Sequence, residues 1–247
     1  MAFEPQPAEN ELPKGLNNPM QAEPSHLCKL AAKTLQAHLE KARDLEHNFG
    51  LKNEEKDKAI GKMFGVLVAK NKDNQIGFLW AFSGKLANSN HHEFFVPPVY
   101  DSLDPKGFLN TGMAKLSEIN AKIKYLESQK VDSSAIDKLK IERKNHSVGL
   151  QEMLFDSYSF KNNKHETKSL RDIFALQGIA NLPAGAGECA APKLFQHCFL
   201  HHYRPLSIAE FWWGHSTRYQ SKIHGEYYGA CEDKCRPILS YMLSKEL

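Results

Sequence analysis

No stretch of this sequence is long and apolar enough to cross a bilayer. The longest apolar runs, around 63–69 and 76–82, fall well short of the ~20 residues that a spanning helix needs. Residues 1–25 are polar and carry several prolines and acids, with no apolar core segment, so no secretory leader is expected in them. Charge of one sign is not in excess. Thirty-two Lys and Arg against 29 Asp and Glu give a net +3, too weak to imply nucleic acid by itself. Cysteine is scarce, and its count of five is odd. These absences predict a cytoplasmic protein without a membrane partner, its thiols reduced. In that compartment clustered cysteines bind metal more often than they pair. There is no internal repeat, no low-complexity tract, and no Walker or Rossmann fingerprint.

What is present is concentrated after residue 180. Cys189 lies in Pro-Ala-Gly-Ala-Gly-Glu-Cys-Ala-Ala-Pro-Lys (183–193). Cys231 and Cys235 lie in Tyr-Gly-Ala-Cys-Glu-Asp-Lys-Cys-Arg-Pro-Ile-Leu (228–239). Each block reads as a turn opening a helix. A thiol at a helix start has a lowered pKa, because the macrodipole favours the thiolate. Thiolates at two helix starts suit a soft metal, zinc first. The competing assignment is three buried cysteines packing as small hydrophobes.

The rest of the chain supplies a scaffold. Residues 1–24 form a flexible lead-in and 25–247 a single α/β domain. Ser25 caps a helix over 26–48, whose Leu27, Leu30, Ala31, Leu35, Leu39, Ala42 and Leu45 repeat at three and four. Segments 61–69 and 76–82 flank the turn cluster 71–74 and predict a β-hairpin. Residues 84–107 fit neither period. From 108 to 158 the period is helical, with Leu116, Ile119, Ile123 and Leu126 as one seam. A break near Asp132-Ser133-Ser134 makes this a helical-hairpin insert. A short helix near 170–174, a helix over 188–202, a strand over 206–213 and a helix over 231–245 follow.

Hairpin, ligand-bearing helix, strand, and a helix opened by two cysteines make the layout of the cytidine-deaminase fold. The expected architecture is therefore a small mixed sheet with flanking helices. Zinc deaminases use three protein ligands and a water. Two departures stand out. The closing pair is Cys-x-x-x-Cys instead of Cys-x-x-Cys, and the general acid/base position two residues after the first ligand is Ala191. If the chain were a deaminase, Glu210 on the predicted strand or Glu188 would have to serve.

Around these cysteines lie His197, His201, His202, His215 and His224, and His224 is the first choice for a fourth ligand. Gly185-Ala-Gly187 fits a phosphate cradle or, more simply, a tight turn. Trp212 and Trp213 offer a stacking surface for bases, with Lys193 beside them as a backbone contact, although paired Trp on a strand also fits a core. The basic residues of 122–144 alternate with acids and read as a solvated helix face.

Several of these blocks together resemble a known family. Gly61-Lys-Met-Phe-Gly-Val-Leu-Val, Ile76-Gly-Phe-Leu-Trp-Ala-Phe-Ser-Gly-Lys-Leu, Phe95-Val-Pro-Pro-Val-Tyr-Asp, the Cys189 block, Ala209-Glu-Phe-Trp-Trp-Gly and the Cys231/Cys235 block are similar to the N-terminal extension of bacterial RluA-like RNA pseudouridine synthases. The resemblance implies an RNA-modification setting, with RNA or an RNA-modification protein as partner. In that family the catalytic domain carries an Arg-Leu-Asp motif, and no such motif occurs in these 247 residues. The expectation is thus a non-catalytic, zinc-binding accessory module. A divergent deaminase and a structural protein-interaction module are the alternatives.

Overall fold

An amphipathic stripe, a turn-linked pair of apolar strands and two proline-bearing helix starts organise the chain. A computed structural model describes residues 1–41, 49–51, 61–129, 133–216 and 222–244. It divides into two compact units, one of Met1–Val99 with Ser159–Leu247 and one of Tyr100–Tyr158.

The first unit opens with a helix, α1 (His26–Lys41). Ser25 Oγ accepts the Cys28 N–H at 3.3 Å, as a capping serine should. Leu27, Ala31, Leu35 and Leu39 form its buried stripe. The remainder of the expected helix, 42–48, lies outside the described residues. Next come β1 (Lys62–Lys70) and β2 (Ile76–Phe82), antiparallel in a register that runs from Phe64 opposite Phe82 to Lys70 opposite Ile76. Asn71 Oδ1 accepts the backbone N–H groups of Asp73 and Gln75 at 2.9 Å and builds the turn between them.

After the second unit, β3 (Ser159–Lys161) and β4 (Thr167–Ser169) make a small separate hairpin. Four more elements follow: α4 (Leu170–Ala175), α5 (Ala190–Leu200), β5 (Arg204–Trp213) and β6 (Tyr227–Tyr228). The last helix is α6 (Cys235–Leu243). Position 245, the expected end of that helix, lies outside the described residues.

The main sheet has the order β2-β1-β5-β6, and its three strand pairings are all antiparallel. This corrects the expectation of a mixed sheet. Strand β5 runs parallel to β2, but the hydrogen-bonded neighbour of both is β1, so no parallel ladder forms. Strand alternation then sends side chains to two covered faces. Phe64, Val66 and Val68 join Phe211, Trp213 and the stripe of α1 on one face. On the other, Gly65 faces Leu194 and Ala190 of α5.

The lead-in runs along the outer edge of β2. Phe78 N–H donates to Met1 O at 2.8 Å and Phe3 N–H to Ile76 O at 3.2 Å. Further along, Val96 N–H donates to Trp80 O at 2.8 Å. These contacts occupy an edge that would otherwise template aggregation.

The second unit consists of α2 (Phe108–Ser128) and α3 (Ser133–Asp156) with short flanks. Ile119 and Ile123 bury against Ile136, with Leu126 and Leu139 alongside. Gly112 permits the close approach of Leu150, whose Cδ2 would lie 2.2 Å from a Cβ there. His146, a polar break in the apolar seam, is satisfied by Gly112 O at 3.1 Å. Of the predicted break at Asp132-Ser133-Ser134, position 132 lies outside the described residues and Ser133 opens α3.

Candidate metal centre

The Cys189 block folds as the sequence predicts. Gly185 and Gly187 take positive φ values of 75° and 93°, conformations open to glycine without strain. They turn the chain so that Cys189 becomes the N-cap of α5. Pro192 in the first turn costs no hydrogen bond, since that N–H would be unpaired in any case. The second block repeats the arrangement. Cys231 O accepts the N–H groups of Cys235 and Arg236 at 3.2 and 3.1 Å, and Cys235 is the first residue of α6. An exposed Glu232–Arg236 ion pair spans the same turn.

Two helix N-termini thus bring three sulfurs together. Cys189, Cys231 and Cys235 Sγ atoms all lie within 4.8 Å of one another, and Cys231 and Cys235 are 3.4 Å apart. Tetrahedral zinc with Zn–S bonds of about 2.3 Å sets its sulfurs about 3.8 Å apart, so small side-chain adjustments suffice. The donor set is all soft sulfur, which fits zinc and disfavours magnesium or calcium. Among the described residues no fourth His, Cys, Asp or Glu joins the group. The other two cysteines are elsewhere: Cys28 is buried on α1, and Cys198 is buried with its Sγ 3.4 Å from Tyr203 O.

The electrostatics of the trio are coupled. Contact with Cys189 and Cys235 holds the Cys231 thiol well below its ordinary range. Contact with Cys231 pushes Cys189 up, and contact with Cys189 and then Cys231 pushes Cys235 up. The first negative charge of the trio therefore settles on Cys231, the most exposed of the three.

Glu210 is 6% exposed, on the α5 face of β5, and its Oε1 accepts the Ala191 N–H at 3.2 Å. Burial raises its pKa to about 8; the Ala191 N–H works against that shift and the charge of Cys231 adds to it. Glu188 is tied differently. Its carbonyl accepts the Gly84 N–H at 2.8 Å; burial lowers the pKa of Lys62 and Lys193, and the Glu188 carboxylate works against that lowering.

His224 does not reach the cysteines. Its Nδ1 accepts the Gly214 N–H at 2.9 Å and its ring lies 4.2 Å from that of Trp213. His197 and His201 face each other at 4.2 Å on the far end of α5. Eight or more residues of helix, about 12 Å, separate them from Cys189.

The expected base-binding residues are also corrected. Trp212 and Trp213 are 8% and 4% exposed, one on each covered face of the sheet, so neither offers an open ring. Trp212 Nε1 donates to Gly214 O at 3.1 Å. Lys193 is 4% exposed, and its Nζ donates to Phe82 O at 3.1 Å and Gly84 O at 3.0 Å. Burial lowers its pKa to about 8. It ties the end of β2 to α5 and cannot reach a phosphate backbone.

No helix among the described residues is long and apolar enough to cross a membrane. No protein-family model, curated protein or solved structure matches the chain.

Proposed function

We propose that this chain is a zinc-supported domain of cytidine-deaminase-like topology, with a helical-hairpin insert, serving RNA modification as a non-catalytic accessory module. The observation that carries the metal assignment is the convergence of Cys189, Cys231 and Cys235 from two separate helix starts. The topology is supported by the path β2, α5, β5, which passes over the intervening strand β1 before α6 begins. The RNA setting rests on the resemblance of the sequence blocks to the extension of RluA-like synthases.

Zinc would be held by the three thiolates and would cross-link the start of α5 to the start of α6. Such metal binding energy is folding energy. Around it the chain's own residues play structural roles. Glu210 satisfies a helix N–H, Lys193 satisfies two strand-end carbonyls, and Ala191 places a methyl where a deaminase needs a carboxylate.

Glu210 also favours a second reading. Its buried carboxylate lies beside Ala191, so a strand could supply the acid/base group that the helix lacks. In that case Glu210 would take a proton from water and return one to the leaving amine, a role worth about 10²–10⁴-fold in rate. Assays on the purified, zinc-loaded chain separate the two. The accessory reading expects neither ammonia release from cytidine or adenosine nor pseudouridine formation on rRNA or tRNA. Turnover that Glu210→Gln abolishes while the fold persists would establish the deaminase instead.

A further inference from the structure

Two tight turns of the first unit meet away from the cysteines. One joins β3 to β4 and presents Lys164 and His165; the other joins α5 to β5 and presents His202, Tyr203 and Arg204. Between them lies a cleft of about 500 Å³, lined by His165, His202, Tyr203, Arg204, Asn163 and Phe199 among others. The His165 and His202 rings face each other at 4.5 Å.

Both turns are held firmly. Asn162 Oδ1, itself buried, accepts the N–H groups of Lys164 and Glu166 at 3.0 and 2.9 Å. Asn163 N–H donates to Met242 O at 2.8 Å and its Nδ2 to Leu243 O at 3.0 Å, anchoring the turn to α6. Tyr203 N–H donates to Cys198 O at 2.8 Å. Two residues without glycine's freedom, His165 and His202, sit at φ 65° and 57° in these turns, the left-handed region that costs a side chain energy. The fold thus fixes two imidazoles against each other on a rigid frame.

The charge around them is unbalanced. Among the described residues no carboxylate lines the cleft. Among the described residues Arg204, in the lining, and Lys164, in the β3–β4 turn, have no acidic partner, whereas Lys140 pairs with Glu127 and Arg236 with Glu232. Glu166, the acid of this turn, accepts from Asn162 Nδ2 at 2.8 Å. A cation would be repelled by this lining, and an anion would relieve it. Next to the cleft, Tyr203 continues a row of rings. Its ring stacks on His201 at 5.6 Å and 28°, and His201 faces His197 at 4.2 Å. A groove that offers a guanidinium and two imidazoles, with a ring platform beside it, is the chemistry that holds single-stranded nucleic acid, phosphates in the groove and bases on the rings.

We infer that the cleft between the β3–β4 and α5–β5 turns binds a phosphate of single-stranded RNA, with His165, His202 and Arg204 on the phosphate and Tyr203 under a base. The choice of RNA as the source of the phosphate rests on the proposed RNA role; the phosphate chemistry does not.

The test uses the full chain and a short fluorescein-labelled oligouridine, followed by anisotropy across a salt series. For the His202→Ala/Arg204→Ala variant the expected result is weaker binding, with a salt slope smaller by about 0.7 for each phosphate that the protein no longer neutralises. Tyr203→Leu is expected to weaken binding about 5- to 100-fold at unchanged slope. Circular dichroism and zinc content, both unchanged, confirm that the variants fold. Oligouridine binding that is the same in all three proteins would overturn this surface while leaving the RNA role intact. If oligouridine fails to bind but inorganic phosphate binds calorimetrically, and the double variant abolishes that binding, the RNA role is overturned and the phosphate cleft stands. Binding of neither overturns the cleft, as does equally tight binding of an oligoglutamate peptide.

Discussion

Glu210 Oε1 on β5 accepts the backbone N–H of Ala191 at 3.2 Å, so a strand carboxylate caps the first turn of the helix that Cys189 opens. A negative or polar acceptor is favourable at that end of the helix dipole. It also satisfies a buried N–H that has no partner within its own helix.

Glu210→Ala should therefore strand that N–H and cost about 1–3 kcal/mol in urea unfolding. Glu210→Gln keeps an acceptor oxygen and should recover most of the loss. Equal destabilisation by the two substitutions would show that the carboxylate acts by charge and not as an acceptor.

Gly65 sets how closely α5 approaches the sheet. A Cβ there would stand 2.9 Å from Leu194 Cδ1 and 3.0 Å from Ala190 Cβ. Gly65→Ala should push out the start of α5, at an overpacking cost of about 1–3 kcal/mol, and weaken zinc binding because Cys189 moves with it. Gly149→Ala, where nothing lies within 4 Å, is the matched control and should be close to neutral or stabilising. Zinc competition with a chromophoric chelator reads both variants.

Burial, and then the facing His201 imidazole, lower the His197 pKa from 6.5 to about 4. The folded pKa is depressed, so the unfolded chain binds more protons between about pH 4 and 6.5. Stability should rise with pH across that window and level off above it. His197→Gln should flatten this part of the profile. An NMR titration of His197 with a midpoint near 6.5 would contradict the assignment.

How far the sequence reveals this molecule differs by element. The hairpin of β1 and β2 is visible because two apolar runs bracket an Asn-rich turn, and α1 because its stripe spans several turns. Strands β3, β4 and β6 are two or three residues long and carry no period for a pattern to show. Lys193 reads as a surface charge until the structure shows two carbonyls taking its ammonium. Trp212 and Trp213 point to opposite faces, and both vanish into the core because helices cover the sheet on each side. At the cysteines the sequence goes further: their positions at two helix starts predict the convergence seen. The tie from Glu210 to Ala191 is a contact across 19 residues that no spacing rule contains. The cleft at His165 and His202 likewise depends on two turns that only the fold brings together.

The central claim is that Cys189, Cys231 and Cys235 hold zinc and that the metal fastens α5 to α6. Elemental analysis of the purified chain beside Cys235→Ser, paired with thermal melts before and after chelation, tests it most directly. The account predicts about one zinc per chain, absent from the variant, and a lower Tm on chelation that added zinc restores. A free metal level of about a hundred times Kd corresponds to roughly 2.7 kcal/mol of stabilisation. A chain that purifies without metal and gains no stability from added zinc would contradict the account, as would one that keeps its zinc after Cys235→Ser.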